Sequence, residues 1–182
     1  MKQGLLVIDV QNDYFSGGNM ELVEMDAAAS NCERLLDTFR NKQAPIFHIQ
    51  HLAIKEGATF FVPNTQGCEI HKSVKPHGKE PVLVKHYPNS FRDTELHEML
   101  QRAGIEEVVI CGAMTHMCID TTTRAAFDLG YKCQVVADAC ATRDLEFNGR
   151  LLKAVDVQTA FIAALNGPFA EISSTEQYLS LQ

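Results

Sequence analysis

Apolar residues along this chain fall into two alternating rhythms. Short, nearly unbroken runs, Leu5-Leu6-Val7-Ile8, Ile46-Phe47-His48-Ile49, Val82-Leu83-Val84 and Val108-Val109-Ile110-Cys111, read as strands buried on both faces, and the stretches between them carry apolar residues at helical spacing. The first strand is expected over residues 4–10. Asp26 is placed to cap a helix with Ala28, Cys32, Leu35, Leu36 and Phe39 on one face, and Pro45 closes the connection to the second strand. A third strand takes 81–85. Asp93 or Thr94 caps the next helix, with a stripe of Leu96, Met99, Leu100 and Ala103 and a stop at Gly104, before a fourth strand at 108–111. A helix opening at Cys118 carries Ile119, Ala126 and Phe127 on one face and ends near Gly130, and strand five follows over 132–137. Asn148 then opens a helix with Leu151, Leu152, Val155, Ile162 and Leu165, closed by Gly167-Pro168 ahead of a short last strand at 169–172.

Such alternation predicts an α/β fold: a three-layer, doubly wound sheet of about six parallel strands in the order 3-2-1-4-5-6, with helices on both faces. Strands one and four are then neighbours at the switch point. Asp9, which ends the first apolar run, and Cys118, beyond the fourth, emerge at the carboxyl edge of the sheet, and Lys85 reaches that edge from strand three.

With 182 residues and 46% hydrophobic content, the chain suits one domain over 1–182 with one well-buried core. A net charge of -7 argues against nucleic acid or an anionic membrane surface as partner, which leaves a small-molecule substrate. Asp9 interrupts the first apolar stretch too early for a signal-peptide core or a membrane span, so a cytoplasmic protein is expected. Six cysteines without metal-ligand spacing imply reduced thiols, of which Cys32, Cys111 and Cys133 fall on packing positions, while Cys68 and Cys140 lie in loops with no assigned role. Residues 52–80 have no period and exceed an ordinary connection, so they are expected to form a lid or an interface segment, with Phe60-Phe61 closing over a ligand or packing on a second subunit.

The chemistry concentrates where strand four ends. Gly112 offers a tight turn and Cys118 opens a helix, where free backbone N–H groups and the positive end of the helix dipole favour a thiolate and bind an oxyanion. Taken alone, Asp9 fits a turn cap, Lys85 a solvated strand end and Cys118 a packed core thiol. Their meeting at one edge points to catalysis.

At these residues the chain resembles the isochorismatase-like cysteine hydrolase superfamily, which includes nicotinamidases, carbamoylsarcosine amidohydrolases and streptothricin hydrolase. Four segments carry the likeness: Leu6-Val7-Ile8-Asp9-Val10-Gln11-Asn12-Asp13-Tyr14-Phe15; Lys85 with Ser90-Phe91, Thr94 and Leu96; Gly112 to Cys118 continuing through Thr122, Arg124, Ala126, Asp128, Gly130 and Tyr131; and Asp138-Ala139. The resemblance implies a catalytic triad of Asp9 as base, Lys85 as the cation that steadies it, and Cys118 as nucleophile. It also implies an oxyanion hole from the backbone N–H groups of Met114 and Cys118, a non-proline cis peptide at Ala113-Met114, and a homodimer or homotetramer. Phe15, Phe61, Tyr87, Phe91 and His116 are candidates for the pocket wall, each also a candidate for plain aromatic packing. Nicotinamidase-like members hold a divalent metal with an Asp and two His at close spacing; here the matching stretch reads His48-Ile49-Gln50-His51-Leu52-Ala53. No metal and no cofactor are therefore expected, and nicotinamide is disfavoured as substrate. The expected reaction is hydrolysis of a C–N bond, in an amide, lactam or ureido compound, through a thioester on Cys118. Its rivals are isochorismatase-type vinyl-ether cleavage with Asp9 as acid, a thiol redox or sensing protein, and a silent binding subunit.

Overall fold

Strands that are apolar on both sides need cover on both faces, and a parallel sheet between helical layers supplies it. The computed structural model describes residues 1–181, arranged as β1 (Gln3–Ile8), α1 (Met25–Asn41), β2 (Ile46–His51), β3 (Val82–Lys85), α2 (Leu96–Arg102), β4 (Glu107–Ala113), α3 (Asp120–Asp128), β5 (Lys132–Ala141), β6 (Leu145–Phe147), β7 (Arg150–Leu152), α4 (Ala154–Leu165), β8 (Glu171–Ser173) and α5 (Thr175–Ser180). Six strands form one parallel sheet in the order β3-β2-β1-β4-β5-β8, the doubly wound order with β8 as sixth strand. Leu5, Val7, Val109 and Val136 face α1 and α5, while Leu6, Ile8, Val108, Ile110 and Val135 face α2, α3 and α4. Each such aliphatic side chain, fully buried, stabilises the fold by about 1.5–3 kcal/mol before the entropy of ordering is counted. None of the described helices is long and apolar enough to cross a membrane.

Several boundaries depart from the sequence reading for identifiable reasons. Asp26 does not cap α1; Glu24 precedes the helix in a left-handed conformation without a side-chain cap, and Asp26 lies in the first turn, where its charge suits the dipole. Neither Asp93 nor Thr94 is the cap residue of α2: that position is Glu95, although the Thr94 hydroxyl accepts from the Leu96 N–H at 3.4 Å. Cys118 does not open an α-helix. It sits in a π-helical turn, Thr115–Ile119, ahead of α3, and Phe127 turns out to solvent at 45% exposure, edge-on to Phe169.

The largest misreading is at Asn148. It opens no helix: Asn148 and Gly149, both at positive φ (51° and 73°), form the tight turn of a hairpin joining β6 to β7. Leu151 and Leu152 are strand residues exposed on that hairpin, and Phe147 at its tip is 75% exposed. The helix begins only at Ala154, whose N–H donates to Asp144 Oδ1 at 2.8 Å while Lys153 Nζ binds the other oxygen at 2.9 Å. Strand five also runs further than its apolar core, to Ala141, through a bulge opposite Ile110–Gly112, so Cys140 is a buried strand residue. Cys68 is buried in a single helical turn, Gln66–Cys68. A closing helix, α5, was not expected; Ser174 and Gln177 form its capping box.

Segment 52–80 is irregular but firmly tied. The Phe61 N–H donates to the buried Asp13 carboxylate at 2.6 Å, Asn12 Nδ2 donates to the Gln66 carbonyl at 2.8 Å, and the His71 N–H donates to the Val10 carbonyl at 2.9 Å. At its far end Glu80 accepts from Arg40 at 2.8 and 2.9 Å and from His48 Nε2 at 2.8 Å. Phe61 is fully buried, with its ring 4.6 Å from that of Tyr14.

Candidate active site

Register brings the site together. Ile8 pairs with Ile49 on one side and Gly112 on the other, and His51 pairs with Lys85, so the ends of four strands meet at the carboxyl edge. Gly112 allows the closest of these approaches: at φ 121°, a Cβ there would run into the Ile8 carbonyl. The next peptide, Ala113-Met114, is cis. Asp9 adopts φ 52°, a left-handed conformation uncommon for a non-glycine residue, and this turns the chain off β1 toward the same point.

Lys85 Nζ is the centre of the cluster. It lies 2.7 Å from Asp9 Oδ2, 3.0 Å from His51 Nδ1, 3.1 Å from the Tyr87 carbonyl and 3.2 Å from Cys118 Sγ. Asp9 and Lys85 are buried, and Cys118 is only 4% exposed. An ammonium has three hydrogens and here faces four acceptors, so it is shared among them. Among the described residues the Asp9 carboxylate is hydrogen-bonded only to Lys85 and the Cys118 thiol, which leaves it with acceptor capacity beside that thiol.

The electrostatics follow from burial and pairing. Burial pushes the Cys118 thiol up, and the Asp9 carboxylate pushes it further than Lys85 pulls it back, so the resting side chain is a thiol and not the thiolate expected from a helix terminus. Burial disfavours the Lys85 ammonium, but the Asp9 and Cys118 neighbours outweigh that and raise its pKa. His51 is driven down to about 4 by burial and by Lys85, so its neutral Nδ1 accepts the Lys85 proton. Tyr14 is held well above the usual phenol range by burial, with further contributions from Cys118 and Asp9. Asp9, His51 and Cys118 present ligand atoms within 4.8 Å of one another, a set able to surround a cation. The cation among them is the Lys85 ammonium.

Of the other residues singled out in the sequence, Phe61 lies beside the cluster, its ring 5.8 Å from that of His51. Tyr87 contributes its carbonyl to Lys85 and holds its ring 3.5 Å beneath the Arg92 guanidinium. His116, in the π-helical turn, has Nδ1 2.6 Å from the Thr142 hydroxyl. Phe15 is stacked on His71 at 3.7 Å within the core, and the Phe91 ring lies 6.2 Å from Tyr131, which precedes β5 at the opposite edge of the sheet. Ser90 and Thr122 tie the segment after Lys85 to the helix after Cys118, with hydroxyls 2.9 Å apart.

The sequence reading considers His51 only as a metal ligand, which it sets aside, and gives Gln11 no role of its own. Buried Gln11 accepts from the His51 N–H at 2.8 Å and donates to the His51 and Cys68 carbonyls at 2.9 and 2.7 Å, which fixes His51 against Lys85. The only sequence signal for His51 is its place at the end of the strand beside the one that ends in Lys85.

Comparison with known proteins agrees with this geometry. The Isochorismatase domain model matches residues 3–177. The chain is 52% identical over 179 residues to the isochorismatase family protein YddQ of Bacillus subtilis (strain 168), covering 98% of this chain and 99% of that one. It is 33% identical over 171 residues to a streptothricin hydrolase of Streptomyces noursei, covering 93% of this chain and 58% of the relative. A crystal structure from Oleispira antarctica, assigned to the isochorismatase hydrolases, superposes with a TM-score of 0.95 at 48% identity, covering 98% of this chain and 96% of that one. A match over nearly the whole chain, on the sheet whose edge gathers Asp9, Lys85 and Cys118, places this protein in the isochorismatase family.

Proposed function

We propose that this family member is a metal-independent cysteine hydrolase that cleaves a C–N bond of a small amide, lactam or ureido compound through a thioester on Cys118. The observation that carries the reading is the buried ammonium of Lys85 held between the Asp9 carboxylate and the Cys118 sulfur, at 2.7 and 3.2 Å. A resting thiol beside a carboxylate with spare acceptor capacity suits a nucleophile that is deprotonated only when substrate arrives.

Asp9 takes the Cys118 proton as sulfur attacks the carbonyl carbon, and the carbonyl π electrons move to oxygen. The backbone N–H groups of Met114 and Cys118 are the proposed donors to that oxyanion. Collapse breaks the C–N bond, and the leaving nitrogen carries away the proton held by Asp9. Asp9 then deprotonates water, which attacks the thioester. Breaking the C–S bond releases the acid, and the proton on Asp9 returns to sulfur. Lys85 keeps a positive charge beside the thiolate and the carboxylate throughout. The name of the streptothricin hydrolase relative is in keeping with a hydrolytic reaction.

Intact-mass measurement after exposure to a mixed panel of amides, lactams and ureido compounds tests the reading. A covalent acyl adduct on wild type, absent from Cys118→Ala together with turnover, is the expected outcome. Cleavage of a vinyl ether added to the panel that survives Cys118→Ala, with no amide turnover in wild type, would move the assignment to vinyl-ether cleavage by Asp9. Cys118-dependent peroxide consumption without any acyl adduct would move it to thiol redox chemistry.

A further inference from the structure

Residues 146–153 are all exposed, yet most of them belong to the regular hairpin of β6 and β7, which joins no larger sheet. A two-stranded hairpin on its own is marginal in water unless something packs against it. Leu145 pairs with Leu152 and Phe147 with Arg150, so Leu145, Phe147 and Leu152 share one face, with Arg150 beside Phe147 at the tip. Asp144 pins the base of the hairpin through Lys153 and the first N–H of α4, but the tip is left bare.

A surface that fits this face lies on the same chain. Between the first half of α1 and α4, with the end of β5 as its floor, runs an open groove of about 750 Å³ whose walls are short apolar side chains, among them Val23, Ala27, Ala141, Val155, Ile162 and Ala163. No hairpin residue lines it. Glu24 on the groove wall and Arg150 on the hairpin are both exposed, and neither forms an ion pair among the described residues. An uncovered apolar hairpin with a spare cation, next to an uncovered apolar groove with a spare anion, makes the chain complementary to itself. The two features meet at the start of α4, where a two-fold axis would set each hairpin in the other copy's groove, the exchange expected of an isologous dimer.

The groove is also tied to the nucleophile. Thr142 and Gln158 both line it. The Thr142 hydroxyl lies 2.6 Å from His116 Nδ1, and the Thr115 hydroxyl donates to Gln158 Oε1 at 2.5 Å, so both tethers end in the turn that carries Cys118.

We infer that two copies of this chain dock by placing the β6–β7 hairpin of each in the α1–α4 groove of the other, and that the docked pair braces the turn presenting Cys118. The bracing rests on Cys118 as the reactive thiol; the docking does not. Sedimentation velocity from submicromolar to tens of micromolar protein is expected to show a wild-type dimer. Phe147→Asp in the hairpin and Ala27→Glu in the groove, both at exposed positions, should each weaken association by about a hundredfold, whereas Leu129→Asp, exposed just past α3, should not. Amide exchange needs no variant: protection at 145–152 and at 23–28 should rise together with concentration. A wild-type monomer throughout, a dimer that survives both substitutions, or a dimer that protects only one of the two segments overturns the inference.

Iodoacetamide should modify Cys118 about tenfold faster in the two monomeric variants than in the wild-type dimer, with circular dichroism showing that both remain folded. An equal rate overturns the bracing. Dimer results as expected in a protein that forms no acyl adduct would support the docking and strike only the hydrolytic reading.

Discussion

Cys111 and Cys118 are seven positions apart, both buried, and both have thiols held above their ordinary pKa. Their surroundings differ completely. The Cys111 thiol is raised first by its hydrogen bond with Cys32 and then by burial, and its own proton points to the Leu6 carbonyl 3.7 Å away. Cys118 is raised by burial and Asp9 but touches an ammonium, and it lies beyond the sheet edge in a π-helical turn, not inside a strand. Depth alone makes a thiol inert. A buried cysteine is poised for chemistry when a base able to take its proton and a cation able to hold the resulting anion are buried with it.

The comparison is broken most severely through Lys85. Lys85→Met leaves the Asp9 carboxylate buried and uncompensated, and should destabilise the protein by about 3–5 kcal/mol in denaturant titration, with hydrolysis lost. The double variant Asp9→Asn/Lys85→Met should recover much of that stability but none of the activity. Recovery of stability without recovery of function would show that the charge pair is kept for catalysis and not for the fold.

A smaller change sharpens the contrast from the other side. Cys111→Ala should cost about 1 kcal/mol and leave turnover within about twofold, because only packing and weak thiol hydrogen bonds remote from Lys85 are lost. In the folded wild type, iodoacetamide should modify Cys118 before any of the other five thiols, all of which are buried. Early labelling of Cys111 or Cys140 would contradict the assignment of these thiols to the core.

The weakest expected effect is at the loop clasp behind the site. Burial alone would raise the Glu80 pKa, but hydrogen bonds from Arg40, the His77 N–H and His48 bring it down to about 2. A carboxyl whose folded pKa is depressed contributes stability above its unfolded value, near 4.5, and loses that contribution as pH falls toward 2. Glu80→Gln should therefore cost on the order of 1 kcal/mol at neutral pH and flatten the acid limb of the stability profile between those limits. An unchanged acid limb would mean that the clasp does not hold segment 52–80 in place.

The strand pattern and the order of the sheet were legible in the chain because parallel strands buried on both faces must be nearly continuous apolar runs. The two charges that stop those runs, Asp9 and Lys85, were legible for the same reason, and Cys118 by its place after a glycine turn. The Asn148-Gly149 turn was also written in the sequence as a hairpin signal, but Leu151, Leu152 and Val155 imitate a helical stripe. Their exposure on β7 and at the start of α4 shows what periodicity alone cannot: which face a stripe turns to the core.

What the sequence by itself determined is the order of the six strands in the sheet, through the spacing of apolar runs, the family, through four segments that resemble it, and the three residues that come to the carboxyl edge of the sheet. Only the tertiary structure decided that Cys118 rests as a thiol and that His51 shares the lysine. These are properties of distance and dielectric, set when residues remote along the chain are brought into one desolvated place, and no one-dimensional pattern carries them.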